Sequence, residues 1–409
     1  MKGDRRDLNL LAIGLAVSTA GDAAALVALL LRLQPHGSGW VAGLLAAELI
    51  PYVVLAPLTG RVVDRFETRS VLLVALAGQA ALCVPLAFAK PLWAIVALFA
   101  GITALSAFVR PATSAMVPAI MGERPAEQGY ARLGAGTGLG WIAGPAAGGL
   151  LTGAFGPTVA ILVDAATFAL LTLACFGLRA RRRAAHPASV EKPRGGLRLI
   201  FGDAVLRTAL IGSAIAISSG VIDNVAAPFR FVGQLGAGDS GYGLYLTLWG
   251  VGALAGSQLV PRMRLRPQTA VALGNLLSGA GIAGIGLAPN LALAFGASLA
   301  GGVGNGLVNV AQSALISGRT PASQHGRAFA ASGAIVQTAI GVGTAAASPL
   351  VTLLHADGAM ILAGAVTCVV AGVALALAAA NRTYDLPGEI SDKSGAPAPD
   401  LSNEAPPSR

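Results

Sequence analysis

Charge is what this chain has least of. Only 11% of its 409 residues are Asp, Glu, Lys or Arg, whereas soluble proteins carry about 25%. So few charges cannot cover a surface that faces water, which excludes a soluble enzyme as the bulk of the molecule. Aromatics are also sparse, at 5%, and leave no dense aromatic cage. The three cysteines, Cys83, Cys175 and Cys368, sit in apolar stretches without metal or disulfide spacing. His36, His186, His325 and His355 stand singly, so no zinc site is legible. No phosphate-binding loop of the form G-x-x-x-x-G-K-[ST] and no nucleophile–base set is present. We therefore expect no enzyme, no metal and no cofactor.

What the chain does have is apolar length. Hydrophobic residues make up 55% of it, and the mean hydropathy is +0.70. These values describe an all-α integral membrane protein. The apolar runs resolve into twelve spans: 8–33, 38–58, 70–89, 91–119, 130–154, 158–178, 206–233, 241–260, 269–288, 291–316, 327–354 and 358–380. Residues 18–20 (Ser-Thr-Ala) have the form of a signal-peptidase site. The apolar run passes through them to Leu33, however, long enough for a full span of about 20 residues.

The net charge of +9 does not indicate nucleic acid, because the basic residues lie in short connections between spans. There they set topology. Arg61, Arg65 and Arg69, the run from Arg179 to Arg198, Arg262 to Arg266, Arg319 and Arg327 all fall on one side if both termini are cytoplasmic. The expected organisation is an N-terminal six-helix bundle (1–178), a cytoplasmic central loop (179–205), a C-terminal six-helix bundle (206–380) and a disordered cytoplasmic tail (381–409), which is rich in Pro, Ser and Ala.

The halves echo each other at an offset near 201. Residues 18–22 fall on 219–223, so Asp22 falls on Asp223, and Arg61 and Arg65 fall on Arg262 and Arg266. With a two-residue slip, the glycine-rich fifth span falls on 343–350. A duplicated six-span unit is the plan of a rocking transporter with its site between the halves.

Two motifs carry a resemblance. Gly60, Asp64, Arg65 and Arg69 lie in the pattern Gly-x-x-x-Asp-Arg-x-x-x-Arg between spans 2 and 3. Gly140, Gly144, Pro145, Gly148 and Gly149 lie in Gly-x-x-x-Gly-Pro-x-x-Gly-Gly in span 5. The first resembles the loop 2–3 signature of the major facilitator superfamily, and the second resembles the antiporter signature of its drug–proton exchangers. Residues 18–22 (Ser-Thr-Ala-Gly-Asp), 110–118 (Arg-Pro-Ala-Thr-Ser-Ala-Met-Val-Pro) and 196–207 further resemble the macrolide-efflux and enterobactin-exporter branch. There are departures. Glu67 and Thr68 stand where the usual loop has a second Gly before its basic residues, and Leu265 replaces the acid in the second-half copy.

The resemblance implies a fold of two pseudo-symmetric six-helix bundles. It also implies that Asp64, Arg65 and Arg69 latch the outward-facing state, with Gly60 allowing two helices to approach. Gly136, Gly140, Gly144 and Gly148 recur every four residues and form one bare helix stripe for close packing. Acids inside spans are costly and therefore paired or functional. Asp22, Glu48 and Asp223 are the proton-coupling candidates, since burial favours the neutral form that a proton carrier needs. Arg110 in span 4 is a candidate to balance Asp22 or Glu48. Asn305, Asn309 and Gln312 share one face of span 10 and, with Trp249, are substrate-cavity candidates. Arg230 is expected near Asp223 or at the outer interface.

The expected function is proton-coupled efflux of a small amphipathic molecule, such as a drug, antibiotic or siderophore-like metabolite. The transporter would work by alternating access as a monomer in the bacterial inner (plasma) membrane, with protons and lipid as its other partners and no nucleic acid. An importer or facilitator of a small metabolite is the alternative. A non-transporting receptor or assembly partner is the alternative of another class.

Overall fold

In lipid, every backbone N–H and C=O needs an internal partner, so long apolar runs become helices. The computed structural model describes residues 5–180, 195–263, 265–321 and 324–380. Its helices are α1 (Arg5–Leu33), α2 (Ser38–Arg65), α3 (Thr68–Phe88), α4 (Leu92–Met121), α5 (Ala126–Phe155), α6 (Pro157–Phe176), a short α7 (Gly196–Gly202), α8 (Ala204–Pro228), α9 (Gly238–Leu259), α10 (Pro267–Leu287), α11 (Leu291–Arg319) and α12 (His325–Ala380). A π-helical turn, Phe229–Gln234, prolongs α8. His355 breaks α12, which therefore makes two passes. With that break, the described residues form the twelve long helices that the sequence predicts.

The structure changes three expectations. Residues 60–69 are not a loop: α2 continues to Arg65 and α3 starts at Thr68, leaving Phe66 and Glu67 as the turn. Past the bilayer core, water can satisfy terminal carbonyls, so charge does not end a helix there. The expected central loop also contains structure, since 196–202 is helical and α8 begins at Ala204. Finally, Arg230 does not pair with Asp223. It is buried and donates to the carbonyls of Ile285 (3.1 Å) and Ala288 (2.6 Å) at the end of α10. Most of the basic central run (181–194) and the whole expected tail (381–409) lie outside the described residues.

Helices α1 to α6 pack among themselves, chiefly α1 on α5 and α6, and α3 on α4 and α6. Helices α8 to α12 pack likewise, through α8 on α12, α9 on α11, and α10 on α11 and α12. The main joints between these groups are α5 on α9 and α2 on α12.

Small residues set the distances. A Cβ added at Gly136, Gly140, Gly144 or Gly148 would lie 2.6–2.8 Å from the carbonyl oxygens of Ala12, Ala16, Ala20 and Ala24 in turn. The bare stripe of α5 thus faces an alanine stripe on α1, backbone against backbone. In the second half, Gly343 of α12 meets the Ser218 carbonyl of α8 in the same way. Helices α9 and α11 interlock at Gly252, Gly256, Gly302 and Gly306.

Two arginines repeat one device. Arg32 at the end of α1 donates to the carbonyls of Leu86, Ala87 and Ala89 at the end of α3. Arg230 does the same from the end of α8 to the end of α10. Each satisfies carbonyls that a helix C-terminus leaves open and favours the negative end of its dipole. This pairing, made of contacts rather than of aligned letters, is independent support for the duplication.

His355 has φ 59° and ψ 176°, while Gly156, at the matching turn between α5 and α6, has φ 84° and ψ 165°. That region suits only glycine and costs other residues about 1–3 kcal/mol. His355→Gly is expected to raise stability by about 1 kcal/mol, read as a higher unfolding midpoint in detergent. An unchanged or lower midpoint would contradict the strain.

Asp203 accepts hydrogen bonds from the N–H groups of Val205 and Leu206, at 2.9 Å each, and pairs with Arg319 at 2.9 Å. Partial burial opposes its charge, but the Leu206 N–H, Arg319 and the Val205 N–H together hold the carboxyl below its ordinary value of 3.8. Its contribution is present above that value and lost as pH falls through the lower folded-state value. Asp203→Asn, which keeps a capping oxygen, should cost up to about 1 kcal/mol at neutral pH. The gap to wild type should close as the pH drops below 3.8, and unfolding midpoints over a pH series would show this.

Candidate functional site

The first half gathers its acids. Asp164 on α6 is buried, receives the Thr167 hydroxyl at 3.2 Å, and has the Cys83 sulfur 3.8 Å away. It lies against α1 where Gly21 leaves room: a Cβ there would be 2.6 Å from Asp164 Oδ1. The next residue, Asp22, is within electrostatic reach of both Asp164 and Glu48 on α2. Tyr52, one turn past Glu48, is in reach of Asp22, Glu48 and Arg110. Nearby, buried Gln79 donates to the Ser106 hydroxyl, and its own Oε1 has no partner.

The structure thus brings Asp22 and Glu48 together, as α1 and α2 neighbour each other. It adds Asp164 of α6 to them. Arg110 is exposed and makes no ion pair among the described residues, so it does not neutralise either carboxylate in this conformation. Gln79 and Ser106 went unnoticed in the sequence because single polar residues in a span have no pattern. Their only signal is polarity itself in an apolar run.

The second half holds a cavity of about 340 Å³ between α8, α9, α10, α11 and α12. Asp223, Trp249, Asn305, Asn309 and Gln312, all predicted, line it together. Tyr245 and Ser278 join them without having been predicted. The Tyr245 hydroxyl donates to Asp223 Oδ2, while Oδ1 has no partner. Phe231 stacks on Tyr245 at 4.4 Å and fixes that ring. Asn309 donates to Asn305 at 3.0 Å, and Gln312 to Ser332 at 3.3 Å.

The motif residues divide by end. Gly149 of α5 meets α9, where a Cβ would be 2.6 Å from the Asp239 carbonyl and 2.9 Å from Gly243. At the same end of the bundle, the Ser38 hydroxyl of α2 lies 3.1 Å from those of Ser348 and Thr352 on α12. Here the halves are in contact. At the opposite end, a Cβ on Gly60 would meet nothing within 4 Å. So Gly60 does not serve a close helix approach in this conformation, contrary to expectation. Arg69 donates to the carbonyls of Cys175 (3.0 Å) and Phe176, closing the end of α6. Asp64 and Arg65 complete α2 beside it.

Residues 11–277 match the family model of the Major Facilitator Superfamily. The chain belongs to that superfamily. As a member it is a multi-pass membrane transporter and not an enzyme. It is 24% identical over 337 residues to the uncharacterized MFS-type transporter YfiS of Bacillus subtilis, covering 77% of this chain and 79% of YfiS. It is 31% identical over 215 residues to the multidrug efflux pump Tap of Mycobacterium tuberculosis, covering 47% of this chain and 50% of Tap. Its fold is similar to that of the nucleoside transporter NupG, with a TM-score of 0.73 over 91% of this chain and 98% of that one, at 13% identity.

Within this superfamily member, Gly148 and Gly149 are adjacent but face different partners. Gly148→Val should press on α1 inside one half and lower stability by about 1–3 kcal/mol. Gly149→Val should instead part α5 from α9. A Ser38→Cys/Ser348→Cys pair reports the α2–α12 joint at the same end of the two halves, so its disulfide yield should fall in the Gly149 variant while the unfolding midpoint stays near wild type. The reverse pattern would mean that the two glycines have been assigned to the wrong contacts.

Proposed function

We propose that the chain is a drug–proton antiporter that exports a small amphipathic molecule by alternating access. One observation carries this reading: Asp22, Glu48 and Asp164 lie together in the first half, with no cation paired to them among the described residues. Three carboxyls gathered in a membrane interior repel one another and gain by binding protons. Such a set can take up protons from one side and release them when the halves rock. The partial likeness to a multidrug efflux pump supports export, as do the glycine and proline positions of α5.

The basic connections lie inside in this reading, so the end where Gly149 meets Gly243 and Ser38 meets Ser348 is the outer one. The conformation is then inward-facing. Protonation of the Asp22 cluster and cargo binding in the second half drive opposite rocking movements. The Asp64 latch forms when the inner ends close, bringing Gly60 against a neighbouring helix.

Proteoliposomes loaded with a pH dye and challenged with amphipathic antibiotics test the coupling. Asp22→Asn and Glu48→Gln should each slow drug-triggered proton movement at least about tenfold while the protein still inserts normally. If both variants kept full pH-driven efflux, the acids would have no coupling role. Accumulation of drug in energised cells, instead of loss, would favour an importer.

A further inference from the structure

The second-half cavity has a lopsided chemistry. Among the described residues, Asp223 is its only carboxylate, and no Lys, Arg or His lines it. Asp223 is 4% exposed, and one of its oxygens has no partner. The nearest cation along its helix, Arg230, is fully occupied by Ile285, Ala288 and Gln234. The other polar lining is made of amides and hydroxyls, including Asn275, Asn305 and Ser278. These groups can donate or accept and so do not discriminate by charge. The Trp249 indole lines the same space, its ring seated where Gly301 has no side chain.

A desolvated carboxylate oxygen without a donor is costly in a protein interior. Beside an aromatic face, a cation is the species that it favours most. An anion would meet Asp223 with nothing to offset the repulsion. The volume of about 340 Å³ suits a molecule of a few rings, at the small end of drug-sized sites.

We infer that this cavity is the cargo site, and that its cargo is a compact aromatic or polycyclic organic cation whose positive group pairs with the Asp223 carboxylate, with Trp249 beside it. The inference rests on the export reading for what the site does, and it separates the tasks of the two halves. Carboxyls in the first half handle protons, and one carboxylate in the second half selects charge. Anionic cargo, a siderophore-like metabolite included, is thereby excluded.

Equilibrium binding to the purified full chain in detergent tests this without any assumption about direction or coupling. Ethidium, an aromatic monocation, is followed by fluorescence anisotropy. It should bind wild type and be displaced by tetraphenylphosphonium but not by the anion fluorescein. Asp223→Asn should weaken ethidium at least about tenfold, and Asp223→Glu, which keeps the charge, should stay within about threefold of wild type. The unfolding midpoint of each variant controls for misfolding. If Asp223→Asn does not fold, the displacement series on wild type still decides. Absence of ethidium binding, displacement by fluorescein, or an unaltered affinity in folded Asp223→Asn would each overturn the inference. Any of these would leave proton-coupled export of an uncharged molecule standing, whereas loss of coupling with cation binding intact would sink the export reading alone.

Discussion

The close backbone contact of α5 with α1 on one face and with α9 on another governs the rest of the structure. Between α5 and α1, carbonyl oxygens stand where side chains would otherwise be. Dispersion between packed backbones replaces the hydrophobic effect, which is weak between helices in lipid. The consequence is mechanical. The α1 contact runs over four turns and binds α5 into its own half. The α9 contact joins the two halves, from Gly153 beside Ser240 to Ile142 beside Thr247 and Gly250.

Packing within each half decides what the buried polar groups can do. Asp22 sits on α1 directly under the long contact, so its place relative to Asp164 and Glu48 is fixed by packing within one half. Asp223 is fixed in the same way, through Tyr245 and the Phe231 ring behind it. Neither carboxylate depends on the other half for its position, and rocking therefore changes what each faces without dismantling it. The arginine staples at Arg32 and Arg230 serve the same end by tying helix termini together within each half.

The duplication is clearer in contacts than in letters. Asp22 and Asp223 match in sequence, yet their surroundings differ: other acids around one, and a tyrosine, amides and an indole around the other. Gly156 and His355 share an unusual backbone geometry with different side chains. The fold retained the positions that packing requires and let the chemistry of the two interiors diverge.

Much was legible beforehand. The twelve helices followed from apolar length, because a membrane leaves the backbone no other way to satisfy its hydrogen bonds. The superfamily was readable in the glycines, Asp64 and the arginines, and the polar face of Asn305, Asn309 and Gln312 followed from helical period alone. Chain order could not say which acids meet. Asp164 joins Asp22 because Gly21 admits it, and that is a fact about two helices far apart in sequence. Nor could it say that Arg230 turns to α10 and away from Asp223, since the carbonyls it satisfies exist only once α10 has ended beside it. It also placed a loop at Gly60, where a helix runs on into water. Local physics determined the elements and their inner faces, and tertiary structure decided which faces met, because contact in a bundle depends on distances that sequence spacing does not contain.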